Sequence, residues 1–516
     1  MIPVLILSFA WVPVAHAVPS GEDGAVLRNA NAALNQADVE RARELFNPLL
    51  DDYGDDPDVL YTHGVLLFHE GEYASAFAAV ERAIALGPTA PGLSSRRELA
   101  TLIATTLETT RSFVTHTSRN GQFQVRLAPG PDEVLVPYAL HALERSYDTL
   151  SVDLGVTLPV VRLEIVPTAD ALAAVSTLTI EEIERTGTIA LCKWNRLMVT
   201  SPRALVRGYP WMDTISHELV HLLLMRASAD RAPVWLQEGI AKFLERRWRG
   251  EAPEARLDPA SLAILQHAAA QDRLLPFDRL HPSIAQLPSQ EDAALAFAQV
   301  ATFVDVFHRR FGMQGIRRVA RSIAQGTDAR DAVAAVAAEP WPRLEAQWRV
   351  ALTELPPVPT AAPRMIPLEF RSETNAPDSM RDVQDEAGRL VRLGDLLWSR
   401  HHPAAAAHEY DRALTAAPDD PVVATRFGRA ALAAGDPSAA ARVLESMLPL
   451  YPDYAPVLSL LGAAHRARGD VARARSVLRE AIRINPFDPE PHCHLAELGE
   501  NEATRARESA FCAQLR

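Results

Sequence analysis

The chain has 516 residues, more than one hydrophobic core ordinarily supports, so roughly two to four domains are expected. Its composition, 48% hydrophobic and 23% charged, is that of a globular protein and excludes disorder as the default state. A formal net charge of −13 argues against broad attraction to phosphate backbones or anionic membranes, and no nucleic-acid partner is expected.

The first 17 residues, MIPVLILSFAWVPVAHA, are apolar and end in Ala15-His16-Ala17, the small-x-small form of a secretory cleavage site. They read as a signal peptide over 1–17, although no Lys or Arg precedes the apolar run, and a stray apolar terminus is the plainer alternative. The expected location is outside a bacterial-type cytoplasm, periplasmic or secreted. No other stretch approaches the roughly 20 uninterrupted apolar residues of a spanning helix, so no transmembrane segment is expected in the mature chain.

Residues 18–114 read as helical repeats. The segment DPDVLYTHGVLLFHEGEYASAFAAVERAIALGP places Gly64, Ala76, Ala83 and Pro88 at offsets that recur near the other end of the chain. There Gly394, Gly428 and Gly462 share a 34-residue period with Ala406, Ala440 and Ala474 and with Pro418, Pro452 and Pro486. Small residues let two helices approach closely and proline stops the second, so both regions resemble tetratricopeptide (TPR) repeats. Such units stack into a surface suited to a protein partner; the shorter N-terminal set serves either for such contact or to brace the middle of the chain.

The pattern changes at Gln122, where QFQVRL alternates as a strand does, before a helix-like stretch over 132–154 and a further strand, VVRLEIV. GTIALC and RLMVTS then flank Lys193-Trp194-Asn195 and read as a hairpin. Next, MDTISHELVHLLLMRA carries His217-Glu218-Leu219-Val220-His221, an H-E-x-x-H motif. On a helix, residues four apart share a face, so both imidazoles can reach one ion, and Glu218 can address a water beside it. Glu238, 17 residues beyond His221 in PVWLQEGIAKFLE, is the natural third ligand, on a helix that Pro233 can open. A structural histidine pair is the competing explanation.

HELVH followed by WLQEGIA resembles the gluzincin zinc peptidases of the peptidase MA-like superfamily, over about residues 122–352. The resemblance implies an α+β zincin-like metallopeptidase domain, here spanning 115–352, with His217, His221 and Glu238 holding Zn2+ and Glu218 as general base in peptide hydrolysis. It further implies that the strand around 187–192 is the edge against which an extended peptide substrate lies. Where such proteins tend to read A-Y-A-Q, this chain has Ala296-Phe297-Ala298-Gln299, and Phe cannot donate a hydrogen bond to an oxyanion. Tyr209, His267 and His308 are the substitutes considered. Asp213, four residues before His217, is expected to cap the helix, or else to orient an imidazole. The run Arg246, Arg247, Arg249 reads as a solvated helix face.

Residues 353–379 are rich in Pro and lack either periodicity, which marks a linker, and 380–516 form the C-terminal repeats with capping helices. The three cysteines show no metal-ligand spacing; Cys493 and Cys512, on two successive helices, either pair in an oxidising compartment or pack as thiols, and Cys192 stays unpaired. The sequence thus reads as a multidomain protein, an exported zinc metallopeptidase flanked by all-α repeats that bind a partner or substrate. The alternative is an envelope scaffold built on the repeats, with a zinc-binding domain of weak or no hydrolytic activity.

Overall fold

The computed structural model describes residues 21–89, 92–280, 283–358, 363–371 and 385–516; the expected signal peptide lies outside them. The N-terminal region is two antiparallel helix pairs, Glu22–Asn35 with Val39–Tyr53 and Pro57–His69 with Tyr73–Leu86, followed by the helix Leu93–Thr110. Asp38 and Asp56 start two of these helices by accepting backbone N–H groups of the first turn. In the second pair Gly64 faces the partner helix so closely that a Cβ there would lie 2.4 Å from Val80. The C-terminal array repeats the device every 34 residues: a Cβ at Gly394, Gly428 or Gly462 would lie 2.4–2.8 Å from Tyr410, Leu444 or Leu478, each 16 positions on. The periodic glycines therefore mark close helix approach within each unit.

The middle of the chain folds around a mixed five-stranded sheet in the order β1-β2-β3-β5-β4. The strands are β1 Val114–Thr117, β2 Phe123–Leu127, β3 Val161–Val166, β4 Ala190–Lys193 and β5 Arg196–Thr200. β2, β3 and β5 run parallel, while β1 and β4 are antiparallel edges. The long helix Val136–Leu154 is the crossover between β2 and β3, as parallel pairing demands. β4 and β5 form a hairpin whose central residues, Trp194 and Asn195, have φ of 51° and 56°, the handedness of a tight hairpin turn. β5 is buried along its whole length, whereas β4 is half-buried and has one paired neighbour among the described residues. Behind the sheet lie the helices Trp211–Ser228 and Val234–Leu244 and a helical half that includes Gln290–Ala324 and Trp341–Leu352. No helix among the described residues is long and apolar enough to cross a membrane.

Both repeat regions are fused to this domain. On the N-terminal side, Arg196 of β5, 1% exposed, donates to Glu164 of β3 at 2.9 Å and to the hydroxyl of Tyr73, and it lies over the Phe68 and Tyr73 rings. Arg226, near the end of the helix Trp211–Ser228, reaches Asp38 at 2.9 Å and Glu40 at 3.1 Å. On the C-terminal side, the backbone N–H of Tyr209 donates to Ile484 O at 3.0 Å and Trp211 Nε1 to Ile482 O at 3.4 Å. Gly208, with φ of 74°, permits that approach: a Cβ there would lie 2.3 Å from Ile484 O. The N-terminal repeats therefore brace the central domain, one of the two roles their sequence left open.

Two expectations need correction. Asp213 does not cap its helix, which Pro210 precedes with no side-chain cap; its carboxylate accepts from Trp248 Nε1 at 2.8 Å and from Arg249 at 2.7–2.8 Å, because burial calls for charged partners. The arginine run is ion-paired and not a solvated face: Arg246 meets Glu251, Arg247 meets Asp153, and Arg249 meets Asp213 and Glu480. Of the expected linker 353–379, residues 363–371 are seated against both neighbouring domains, while 359–362 and 372–379 lie outside the described residues. Cys493 and Cys512 are joined in a disulfide between the helices Pro489–Leu498 and Glu502–Leu515, and Cys192 is free.

Candidate metal centre

The helix Trp211–Ser228 is apolar on nearly every face and buried accordingly, with Ile215, Leu219, Leu222 and Leu223 among its core residues. Its few polar side chains therefore stand out. His217 and His221, one turn apart, point their Nε2 atoms to the same place, 3.1 Å from each other. The chain turns at Ala229 and Asp230, both at positive φ, and returns through Pro233 into the helix Val234–Leu244, which brings Glu238 opposite. That helix lies tight against Gln290–Ala324: a Cβ at Gly239 would be 2.8 Å from Val300 O, a physical reason for glycine directly after the glutamate.

Glu238 Oε2 is 3.2 Å from His217 Nε2 and 3.3 Å from His221 Nε2. The three atoms make a triangle with edges of 3.1, 3.2 and 3.3 Å. A tetrahedral cation with bonds of about 2.0–2.1 Å spaces its ligands about 3.3–3.4 Å apart, so these donors fit such an ion with a fourth position open. Glu218 offers a second carboxylate, within 4.8 Å of both histidine nitrogens. Glu238 makes the closer triangle, while Glu218 Oε2 is buried without a hydrogen-bond partner.

The electrostatics follow from packing four ionisable groups out of water. Burial lowers the pKa of His217, but hydrogen bonds to Glu238 and Glu245 and the charge of Glu218 outweigh it and raise the group to about 10. Burial likewise opposes the Glu238 carboxylate, and the two histidines more than reverse that, holding it well below its ordinary range. Glu218 is raised by burial, with His221 and His217 limiting the shift. A cation entering the site must therefore displace a proton from His217.

Glu245 is the residue the sequence reading missed. Its Oε2 lies 3.3 Å from His217 Nδ1, and its Oε1 accepts from Lys242 at 2.6 Å, so it sets the orientation of the imidazole. The available signal was its spacing: seven residues after Glu238, it lies two turns along on the same helix face.

The four residues open into a cleft of about 950 Å³, walled by 187–193 with edge strand β4, by the helix Gln290–Ala324, by residues 364–369, and by Leu448–Tyr454 and Glu480 of the C-terminal repeats. Phe297 stands in that wall, its ring 6.1 Å from His217 and edge-on to it. Of the substitute donors, Tyr209 lines the cleft but is buried and commits its hydroxyl to Thr200 O. His308 packs on Phe243, and neither it nor His267 lines the cleft.

Among known families, residues 150–354 match the Peptidase MA superfamily, a span that begins within the helix Val136–Leu154 and leaves β1 and β2 outside. Residues 27–91, 397–464 and 431–498 match the tetratricopeptide repeat. A comparison with curated proteins found no match. Similar solved structures include the first TPR of Spaghetti (RPAP3) bound to HSP90 peptide SRMEEVD, 20% identical over 23% of this chain and 96% of that one, with a TM-score of 0.22. TTC0263, a thermophilic TPR protein from Thermus thermophilus, is 24% identical over 25% and 72%, with a TM-score of 0.23. The Sgt2 TPR domain from Aspergillus fumigatus is 21% identical over 27% and 85%, with a TM-score of 0.20. The chain carries a Peptidase MA superfamily domain flanked at both ends by tetratricopeptide repeats, a peptidase-like domain joined to a protein-interaction module.

Proposed function

We propose that the chain is a zinc-dependent peptidase with His217, His221 and Glu238 as metal ligands and Glu218 as general base. The observation that carries this reading is the unpartnered, buried Oε2 of Glu218 beside the three-atom triangle, inside a cleft large enough for a peptide. A bound zinc ion would supply polarisation of the scissile carbonyl and a lowered pKa for water. Glu218, made more basic than an ordinary carboxylate by burial, takes the proton from the attacking water and returns it to the leaving amine. Glu245 fixes the ring of His217, and β4, paired on one side among the described residues, offers its other edge to an extended chain. The repeats add a surface for a protein partner or substrate.

Phe297 favours a second reading, a zinc-binding scaffold with weak hydrolysis, because the ring it packs against His217 carries no hydrogen-bond donor. Metal analysis of the purified chain together with a peptide-library digest separates the two. The peptidase reading expects about one zinc per chain, lost in His221→Ala, and chelator-sensitive cleavage that Glu218→Gln lowers roughly 10²–10⁴-fold. Stoichiometric zinc without cleavage would favour the scaffold, and absence of zinc would remove both. We place the protein outside the cytoplasm, a reading supported by the apolar segment ending at Ala17 and by the Cys493–Cys512 disulfide. The same preparation, isolated from its host, should begin at Val18; a chain that retains Met1 would count against export.

A further inference from the structure

Residues 363–371 run between the C-terminal repeats and the central domain as a strap fastened on both, with 364–369 lining the metal cleft. On the peptidase-like side, Phe370 pairs antiparallel with Leu205, Val206 N donates to Glu369 O at 2.9 Å, and Arg371 N donates to Ala204 O at 2.7 Å. The side-chain amide of Gln290 holds both backbone groups of Leu368, accepting from its N–H at 2.8 Å and donating to its carbonyl at 3.0 Å. Gln290 also abuts Gly187, just ahead of edge strand β4, where a Cβ would lie 2.9–3.2 Å from its amide atoms. On the other side, Ile366 packs on the core of the C-terminal repeats, while Leu368 packs on the central core. The crossing between domains is thus made at Pro367, and residues 364–369 share the cleft with His217, Glu218 and His221.

We propose that this strap is a specificity element: it roofs the cleft so that only a flexible, extended peptide segment passes between it and β4, and folded polypeptide is excluded until the Gln290–Leu368 link opens. The proposal rests on the peptidase reading for the nature of the substrate. Its physical basis is enclosure. A cavity of about 950 Å³ is at the upper end of the volumes that hold small ligands, with room for a few residues of extended chain but not for a loop carrying its own packed side chains. The link is also breakable, because the Gln290 amide holds Leu368 by two neutral hydrogen bonds that water can replace.

Cys192 lines the cleft and is the one cysteine of three outside the disulfide, so its alkylation reads access without any need for catalysis. The experiment compares N-ethylmaleimide with a maleimide carried on polyethylene glycol, in the full wild-type chain, Gln290→Ala and Ile366→Ser, with circular dichroism to confirm folding. In wild type the bulky reagent should lag far behind the small one. In Gln290→Ala it should speed up roughly tenfold, the weight of two lost neutral hydrogen bonds, with a change in the same direction for Ile366→Ser. Equal bulky-reagent rates in all three chains would overturn the proposal. In a parallel digest, wild type should cut an unfolded protein and spare its folded form, and both variants should narrow that gap. Equal cleavage of the two forms by wild type would also overturn it. If wild type cuts nothing, the peptidase reading fails and Cys192 labelling alone decides the strap.

Discussion

The two repeat regions grip the same domain in different places, one against the sheet and the other along the cleft. At the N-terminal junction Arg196 and Glu164, each 1% exposed, pair in the core and are sealed by Phe68, Tyr73 and Trp194. At the C-terminal junction the contacts include backbone carbonyls of Ile482 and Ile484 on the segment leading into the metal helix, the partly exposed Glu480 against Arg249, and the hydroxyl of Tyr138 donating to the buried Glu508 at 3.0 Å. The first is a brace on the face of the sheet opposite the metal helix. The second leaves its outer surface as a wall of the cleft, with Tyr451 and Tyr454 among the lining residues. Repeats of one kind can therefore serve as scaffold or as part of a site, depending on whether the junction is buried or borders a cavity.

Breaking the N-terminal junction should have the largest effect. Arg196→Met leaves Glu164 without its most buried partner, although Arg126 still donates to it at 2.7 Å, and is expected to cost about 3–5 kcal/mol in urea unfolding. A loss below about 1 kcal/mol would show that the ion cluster is not what holds the brace.

The next effect depends on pH. Burial, helped by the charge of Arg196, lowers the pKa of His69 from 6.5 to about 4. The folded state then binds fewer protons than the unfolded state between those values, so stability is full above pH 6.5 and falls as pH drops toward 4. His69 as a residue is only half-buried although its Nδ1 is buried, and the expected loss by pH 5 is between about 1 and 2 kcal/mol. His69→Gln should flatten that part of the profile; an unchanged slope would assign it to other groups.

Glu480→Gln should do least. Arg249 keeps Asp213, and Glu480 is 33% exposed, so a change of about 0.5 kcal/mol in the same assay is expected. A cost as large as that of Arg196→Met would erase the distinction between the two junctions.

Much of the architecture was readable because it is local. The 34-residue spacing of glycine, alanine and proline reports contacts within one helical hairpin, and those contacts recur at Gly394, Gly428 and Gly462. His217 and His221 share a face by helical periodicity alone, and that pair needs no knowledge of the rest of the chain. Asp213 was misread for the complementary reason: a carboxylate near a helix start usually caps it, but here Arg249, 36 residues away, and Trp248 claim the group. Glu245 was overlooked because orienting an imidazole takes no motif, only proximity.

The sequence by itself determined the repeat unit, four of the five strands and the H-E-x-x-H helix, since each follows from spacing along one or two elements. Only the tertiary structure decided that Arg196 would bury its charge against an N-terminal repeat, that Glu238 would close a triangle with the two histidines, and that a Pro-rich stretch would line the cleft beside the C-terminal repeats. These depend on where distant segments come to lie. Burial, which sets what an ion pair or a hydrogen bond is worth, is a property of that packing and not of any short stretch of chain.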